Sequence, residues 1–305
     1  MGDGMAELVC GVALSHSPVA IVDPESGEER ATRFFEAQAK TKQWLEEQEI
    51  DVYVVISNDH FRTLFYNLMP SFLIGIGECT GLGDWEIPPY PFTLHQGLAK
   101  HLLETGMKDD FDFAFSMSMK LDHGHAQAIH FLDPELKRKI VPVLINAAAP
   151  PLPSMRRCYQ FGKMLRKGIE SWDSRERVAI IASGGLSHSV PRPSMDSKKE
   201  EDRKIIHSLI HGRSEEERKA SFKFKPSPVN EQWDRQLIRD LERDSMSRWI
   251  EMSTEEIGKE GGNGGQEIRN WVAIRAAAEG MKAETVFYEP IPEWLTGMGI
   301  MKFTN

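Results

Sequence analysis

The sequence predicts an α/β protein, a three-layer α/β/α core built around a mixed central sheet, with additional C-terminal helices. Two observations carry this. Short, nearly all-apolar and β-prone runs recur up to Ser183, and the stretches between them place apolar residues at helical spacing among charges. A third observation sets the additional helices apart: beyond Ser183 the chain turns strongly charged.

The first strand is expected over residues 8–14, ending abruptly in Ser15-His16-Ser17-Pro18, so that His16 stands in a loop stiffened by Pro18. Residues 28–48 carry Phe34, Phe35, Ala39, Trp44 and Leu45 at helical spacing. The apolar run 52–56 follows as a buried strand and leads into Ser57-Asn58-Asp59-His60. Further strands are expected over 71–76, 111–117, 140–145 and 178–183, separated by helices around 94–104, 125–132 and 154–171. This alternation requires a sheet covered on both faces.

The charged segment 197–220 reads as a solvated helix, interrupted by Pro226 and Pro228 before helical character resumes over 231–242 and 254–259. The whole chain, 1–305, is expected to form a single catalytic domain, with 197–260 as a helical lid or subdomain. Gly261-Gly262-Asn263-Gly264-Gly265 reads as a permissive linker, and without a following Lys-Ser/Thr it is no phosphate-binding loop. A helix over 266–279 and a late strand over 285–288, ended by Pro290-Ile291-Pro292, complete the order.

Composition excludes several classes of function. With 37 basic and 46 acidic side chains, a net charge of -9 offers no broad positive footprint for nucleic acid. No run approaches the ~20 apolar residues that span a bilayer. The opening residues also lack a basic segment followed by an apolar stretch, so a cytoplasmic protein away from membranes is expected. Cys10, Cys79 and Cys158, odd in number and far apart, point to reduced, buried thiols.

Chemistry concentrates in four histidines with one local pattern: His16 in LSHSP, His60 in SNDH, His123 in LDHGH and His188 in SGGLSH. Each follows an apolar, strand-like run, and loops at strand ends are the usual ligand sites of α/β sheets. One histidine so placed is usually a hydrogen-bonded structural residue; four repeats point to a shared cleft. Glu267 shares a helical face with Trp271, Ile274 and Ala278, where a carboxylate needs a strong partner or a metal. Two histidines and a carboxylate can form the facial triad of a non-heme Fe(II) oxygenase, although spacing alone favours the more general site of a divalent-metal hydrolase.

The segments LSHSP, NDHFRTLFYNLMPSFLIGIG, LDHGHAQ, SGGLSH, QEIRNWVA and IPEWLTGMG, in that order, resemble the class III extradiol ring-cleavage dioxygenases. The likeness is strongest to the branch acting on 2,3-dihydroxyphenylpropionate. It runs from about Val9 to Gly299 and is least distinctive between His188 and Asn230. The resemblance implies Fe(II) held by His16, His60 and Glu267, with His123 as the acid and His188 as the base that deprotonates a substituted catechol before its cleavage with O2. It also implies a muconic-semialdehyde-type product.

The chain departs from the family pattern at His125 and in the long segment 82–92, which bears on substrate rather than metal chemistry. His125 is expected to touch substrate or to support the site through a hydrogen bond. Trp85, Tyr90 and Trp233 are either pocket aromatics or packing residues. Alternative functions are cleavage of a carboxylated catechol such as protocatechuate or a gallate derivative, a Zn(II)-dependent hydrolase or deacylase, and a noncatalytic subunit. A homo-oligomer is expected on general grounds.

Overall fold

A computed structural model describes residues 4–212 and 226–305. The elements in chain order are β1 (Glu7–Leu14), α1 (Val19–Val22), α2 (Glu28–Glu47), β2 (Val52–Ser57), β3 (Phe72–Gly81), α3 (Gln96–Lys108), β4 (Ala114–Leu121) and α4 (His123–Leu132). They continue with β5 (Lys139–Ile145), α5 (Met155–Glu170), β6 (Arg177–Ser183), α6 (Glu200–His211), α7 (Glu231–Glu242), α8 (Ser247–Glu251), α9 (Thr254–Glu260), α10 (Ile268–Ala277), β7 (Lys282–Ile291) and β8 (Thr296–Thr304).

The eight strands among the described residues join one sheet in the order β4-β3-β5-β2-β6-β1-β8-β7. Its centre is parallel, with β6 lying between β2 and β1 and β5 outside β2. β3 and β8 run antiparallel to their inner neighbours, which makes the sheet mixed as expected. Alternation along the strands feeds two cores. Val52, Val54 and Ile56 of β2, with Val178, Ile180 and Ala182 of β6, face the side covered by α3, α5, α7 and α10. Tyr53, Val55, Ala179 and Ile181 face the side covered by α2 and α4. A strand buried on both faces must be apolar throughout, which is why these runs are so legible.

Several elements differ from expectation, the strand expected over 71–76 running on to Gly81 among them. The strand expected over 111–117 pairs only from Ala114 to Leu121, because Phe111 and Phe113 pack against Phe161 before pairing starts. Phe115 and Met117 then stand 58% and 60% exposed on the edge strand, so their apolar alternation did not mark a buried face. The late strand extends from Lys282 through Pro290 to Ile291, since Pro290 on a sheet edge gives up no necessary ladder bond. β8, whose glycines hide its strand character, inserts between β7 and β1.

Of the charged segment 197–220, Glu200–His211 is helical; residues 213–225 lie outside the described set, including part of the expected lid and the first part of its proline-bearing break. Cys10, Cys79 and Cys158 are unpaired and buried, and burial pushes each thiol up to about 12. Among the described residues no helix is long and apolar enough to cross a membrane.

Candidate active site

Because β2, β6 and β1 are parallel neighbours, the loops leaving their C-terminal ends lie side by side, and they carry His60, His188 and His16. His123 arrives differently, as the first residue of α4, directly after the cap residue Asp122. Glu267 also differs from expectation. It closes a 3-10 turn (Gly265–Glu267) ahead of α10, so its side chain turns to the strand ends instead of lying along the helix face with Trp271.

Glu267 Oε1 lies 3.0 Å from His60 Nε2, and Oε2 lies 3.5 Å from His16 Nε2; the two histidine Nε2 atoms are 3.1 Å apart. The far sides of the rings are held. His60 Nδ1 donates to Asp122 Oδ2 at 2.8 Å, the same oxygen that accepts the His60 backbone N–H, and His16 Nδ1 meets Ser183 Oγ at 2.9 Å. Glu267 Oε2 accepts the Gly185 N–H at 2.5 Å, and Asn58 Nδ2 donates to Oε1 at 3.3 Å.

With a proton on Nδ1, the Nε2 lone pair of neutral His60 would face a carboxylate oxygen that can only accept. Neither atom brings a proton to that contact, so the position attracts a cation or a donor such as Asn58 Nδ2, 3.1 Å from His60 Nε2, and this donor set fits a metal ion. Burial lowers His16 to about 3, keeping it neutral and able to ligate. Burial would lower His60 too, but Asp122 and Glu267 raise it well above its ordinary value, so a proton fills the gap when no metal does. Glu267 stays below the usual carboxylate range, against burial, because His16 and His60 stand beside it. A second triad is also compact: ring nitrogens of His16, His60 and His123 lie within 4.8 Å of one another.

His123 stacks on His60 at 4.2 Å between ring centroids and donates from Nδ1 to Asp84 Oδ2 at 3.0 Å. Asp84, in the divergent segment 82–92, also accepts Arg62 Nε at 3.0 Å. His188 Nδ1 donates to the Leu186 carbonyl at 2.9 Å; a carbonyl only accepts, so in the neutral ring the proton is on Nδ1 and the lone pair on Nε2.

The glycine run read as a linker is part of the site. His188 N donates to the Gly261 carbonyl at 2.8 Å, and Gly264 N donates to the His188 carbonyl at 3.0 Å. A Cβ on Gly264 would lie 2.1 Å from His188 Nε2, although its own backbone is ordinary helical. Gly264→Ala is therefore expected to displace the imidazole and lower kcat by roughly 10- to 100-fold with bound metal retained. Wild-type kcat in a folded G264A protein would contradict this.

Below the same loop, buried Asp234 of α7 accepts Ser187 N, Ser187 Oγ and Tyr288 Oη at 2.8–2.9 Å. Burial raises its carboxyl to about 6. No sequence spacing pointed to Asp234; a charged residue one position after Trp233 on a charged helix reads as solvated.

His16, His60, His123, His188 and Glu267 open into one cleft of about 250 Å³ that also takes in Phe61, Arg62, Trp85, Arg192 and Trp294. Phe61, Trp85 and Leu295 line it with left-handed φ of 55°, 54° and 72°. Such conformations cost about 1–3 kcal/mol each and cluster at functional sites.

Residues 11–299 match the sequence profile of the family described as the catalytic LigB subunit of aromatic ring-opening dioxygenase. The chain belongs to this family. It is 32% identical to a 2,3-dihydroxyphenylpropionate/2,3-dihydroxicinnamic acid 1,2-dioxygenase of Photorhabdus laumondii, covering 97% of this chain and 96% of the relative. Identity is 33% to the enzyme of that name from Cupriavidus pinatubonensis, over 94% and 96%. The crystal structure of an uncharacterized protein from Escherichia coli K12 shares the fold, with a TM-score of 0.55 at 13% identity over 96% of this chain and 99% of that one. Membership sets aside the hydrolase and noncatalytic alternatives.

In this ring-opening dioxygenase the remaining expected residues divide. Trp85 lines the cleft. Tyr90 does not; it bonds His130 Nδ1 at 2.7 Å, and Trp233 packs on Trp249 and the glycine run. His125 is buried within α4, does not line the cleft, and donates from Nε2 to the Val143 carbonyl of β5 at 2.9 Å.

Proposed function

We propose that this dioxygenase uses Fe(II) to cleave a catechol with an anionic side chain, of the 2,3-dihydroxyphenylpropionate type, beside its two hydroxyls. Both atoms of O2 enter a muconic-semialdehyde-type product. The observation that carries the reading is the convergence of His16, His60 and Glu267 in a cleft that also holds His123 and His188. His16, His60 and Glu267 would hold the metal. When bound by two imidazoles and one carboxylate, Fe(II) would supply the electron path between a catechol and O2. Glu267 is preferred to His123 as third ligand because its carboxylate lies within 3.5 Å of both imidazoles and offsets metal charge, whereas His123 is wanted for proton transfer.

The chain's own side chains then move protons. His188 Nε2, with its lone pair fixed by the Leu186 carbonyl, accepts a proton from a catechol hydroxyl. His123, held at Nδ1 by Asp84, delivers a proton from Nε2 as the two oxygens of O2 separate. The whole chain acts in the cytoplasm as one catalytic domain, with Ile205, Ser208 and Leu209 of α6 forming a wall of the cleft. The substrate branch follows the names of the relatives.

The test is regiochemical. With freshly reduced protein and 3-(2,3-dihydroxyphenyl)propionate, O2 uptake should accompany a yellow semialdehyde, identified by mass spectrometry and NMR. Intradiol dicarboxylic products would defeat the chemistry. Cleavage of protocatechuate or a gallate derivative but not of the propionate would overturn the substrate branch alone.

A further inference from the structure

Arg192 enters the cleft from the loop after β6, in the run Val190-Pro191-Arg192-Pro193. Prolines on both sides restrict the backbone, so little conformational freedom is left to lose on binding. Val190 is clamped as well: its N–H donates to Asn263 Oδ1, and Asn263 Nδ2 donates to its carbonyl, both at 2.7 Å. The guanidinium lies over the Phe61 ring, 4.6 Å from the centroid, and Nη1 donates to the Ala148 carbonyl. A planar cation seated on an aromatic face presents its N–H edge, the geometry that matches a carboxylate.

The two cleft arginines are not equivalent. Arg62 is ion-paired with Asp84 at 3.0 Å and belongs to the group that holds His123. Among the described residues no carboxylate forms an ion pair with Arg192, and burial pulls its guanidinium below the ordinary range, with Tyr66 and the more distant Glu267 acting in the opposite direction. A half-buried cation with no ion-pair partner and an N–H edge open to the cleft favours an anionic occupant.

We infer that Arg192 recognises the side-chain carboxylate of the substrate, sorting anionic from neutral catechols in the cleft that holds His16, His60 and Glu267. The inference rests on the catechol-cleaving reading above. Arg192→Gln and Arg192→Lys, compared with wild type on 3-(2,3-dihydroxyphenyl)propionate and on uncharged 3-propylcatechol, test it. The ratio of kcat/KM for the charged over the neutral substrate is expected to fall by roughly 10- to 100-fold in R192Q, as for loss of a hydrogen-bonded charge pair. The loss should fall mainly in KM, because the carboxylate is remote from the reacting ring. Arg192→Lys should recover part of the ratio, since it keeps the charge but not the planar fork. An unchanged ratio overturns the assignment.

A binding readout separates this idea from the activity it rests on. By calorimetry, 3-phenylpropionate, which has the carboxylate but no hydroxyls, should bind metal-free wild-type protein and bind R192Q at least about tenfold more weakly. Equal binding, or none to wild type, overturns the role of Arg192. If wild type consumes no O2 with any catechol while this binding still depends on Arg192, the ring-cleaving reading fails and the anion site stands.

Discussion

With Fe(II) as the proposed metal, Glu267→Ala is expected to abolish its binding and, with it, ring cleavage. The carboxylate is buried, sits 3.0 Å from His60 Nε2 and 3.5 Å from His16 Nε2, and brings the negative charge of the donor set. Its removal should cost more than the roughly 10- to 100-fold in metal affinity typical of groups that merely support a ligand. His16→Ala should behave alike, since burial keeps that imidazole neutral and available. The measurement is an anaerobic Fe(II) titration of the folded variants, with about one ion per chain expected for wild type. Unchanged affinity in both would exclude the triad. Loss of metal in His123→Ala with retention in Glu267→Ala would instead select the three-histidine set, whose ring nitrogens also lie within 4.8 Å of one another.

The second large effect is expected at His188 and His123. Each replaced by alanine should retain Fe(II) yet lower turnover by about 10²- to 10⁴-fold, the range of a lost general acid or base. The two should fail at different steps. His188 has its proton fixed on Nδ1 by the Leu186 carbonyl, so without it the catechol should bind but not deprotonate, and the absorbance change of catecholate formation should be missing under anaerobic conditions. In His123→Ala that change should appear normally and the block should come only after O2 is admitted. Normal turnover in both variants would remove them from the chemistry. Loss of metal from His188→Ala would point to a structural role for its loop, which Asp234 and Gly264 hold from below and beside.

Much of this site is legible in the chain because its signals are local. His16 and His60 follow runs that are apolar on both faces, and a parallel strand buried on both sides can have no other texture. Asp122 at the start of α4 is likewise a local capping signal, and it puts His123 at a helix N-terminus. The sequence singles out Glu267 by a shared helical face and, as a ligand, by the resemblance carried by QEIRNWVA; the structure does not use the face, since the helix begins one residue later. Its carboxylate is drawn to the strand ends by the Gly185 N–H and Asn58, 82 and 209 residues away in sequence. The supporting groups had no local signature. Asp84 lay in a segment notable only for its divergence, Asp234 on a charged helix, Arg192 between prolines, and Gly264 in a run resembling a linker.

By itself the sequence determined the α/β class, most strands and helices, and the histidines that end the apolar runs, since periodicity and burial on both faces are written residue by residue. Tertiary structure alone decided that β6 lies between β2 and β1, and so that His60, His188 and His16 share one cleft. It also decided that β8 separates β7 from β1, that a glycine run presses on His188, and that Arg192 faces the cleft with no ion-pair partner among the described residues. The physical reason is common to all of these: strand order and close approach depend on which surfaces exclude water together across hundreds of residues, and no window of the chain records that.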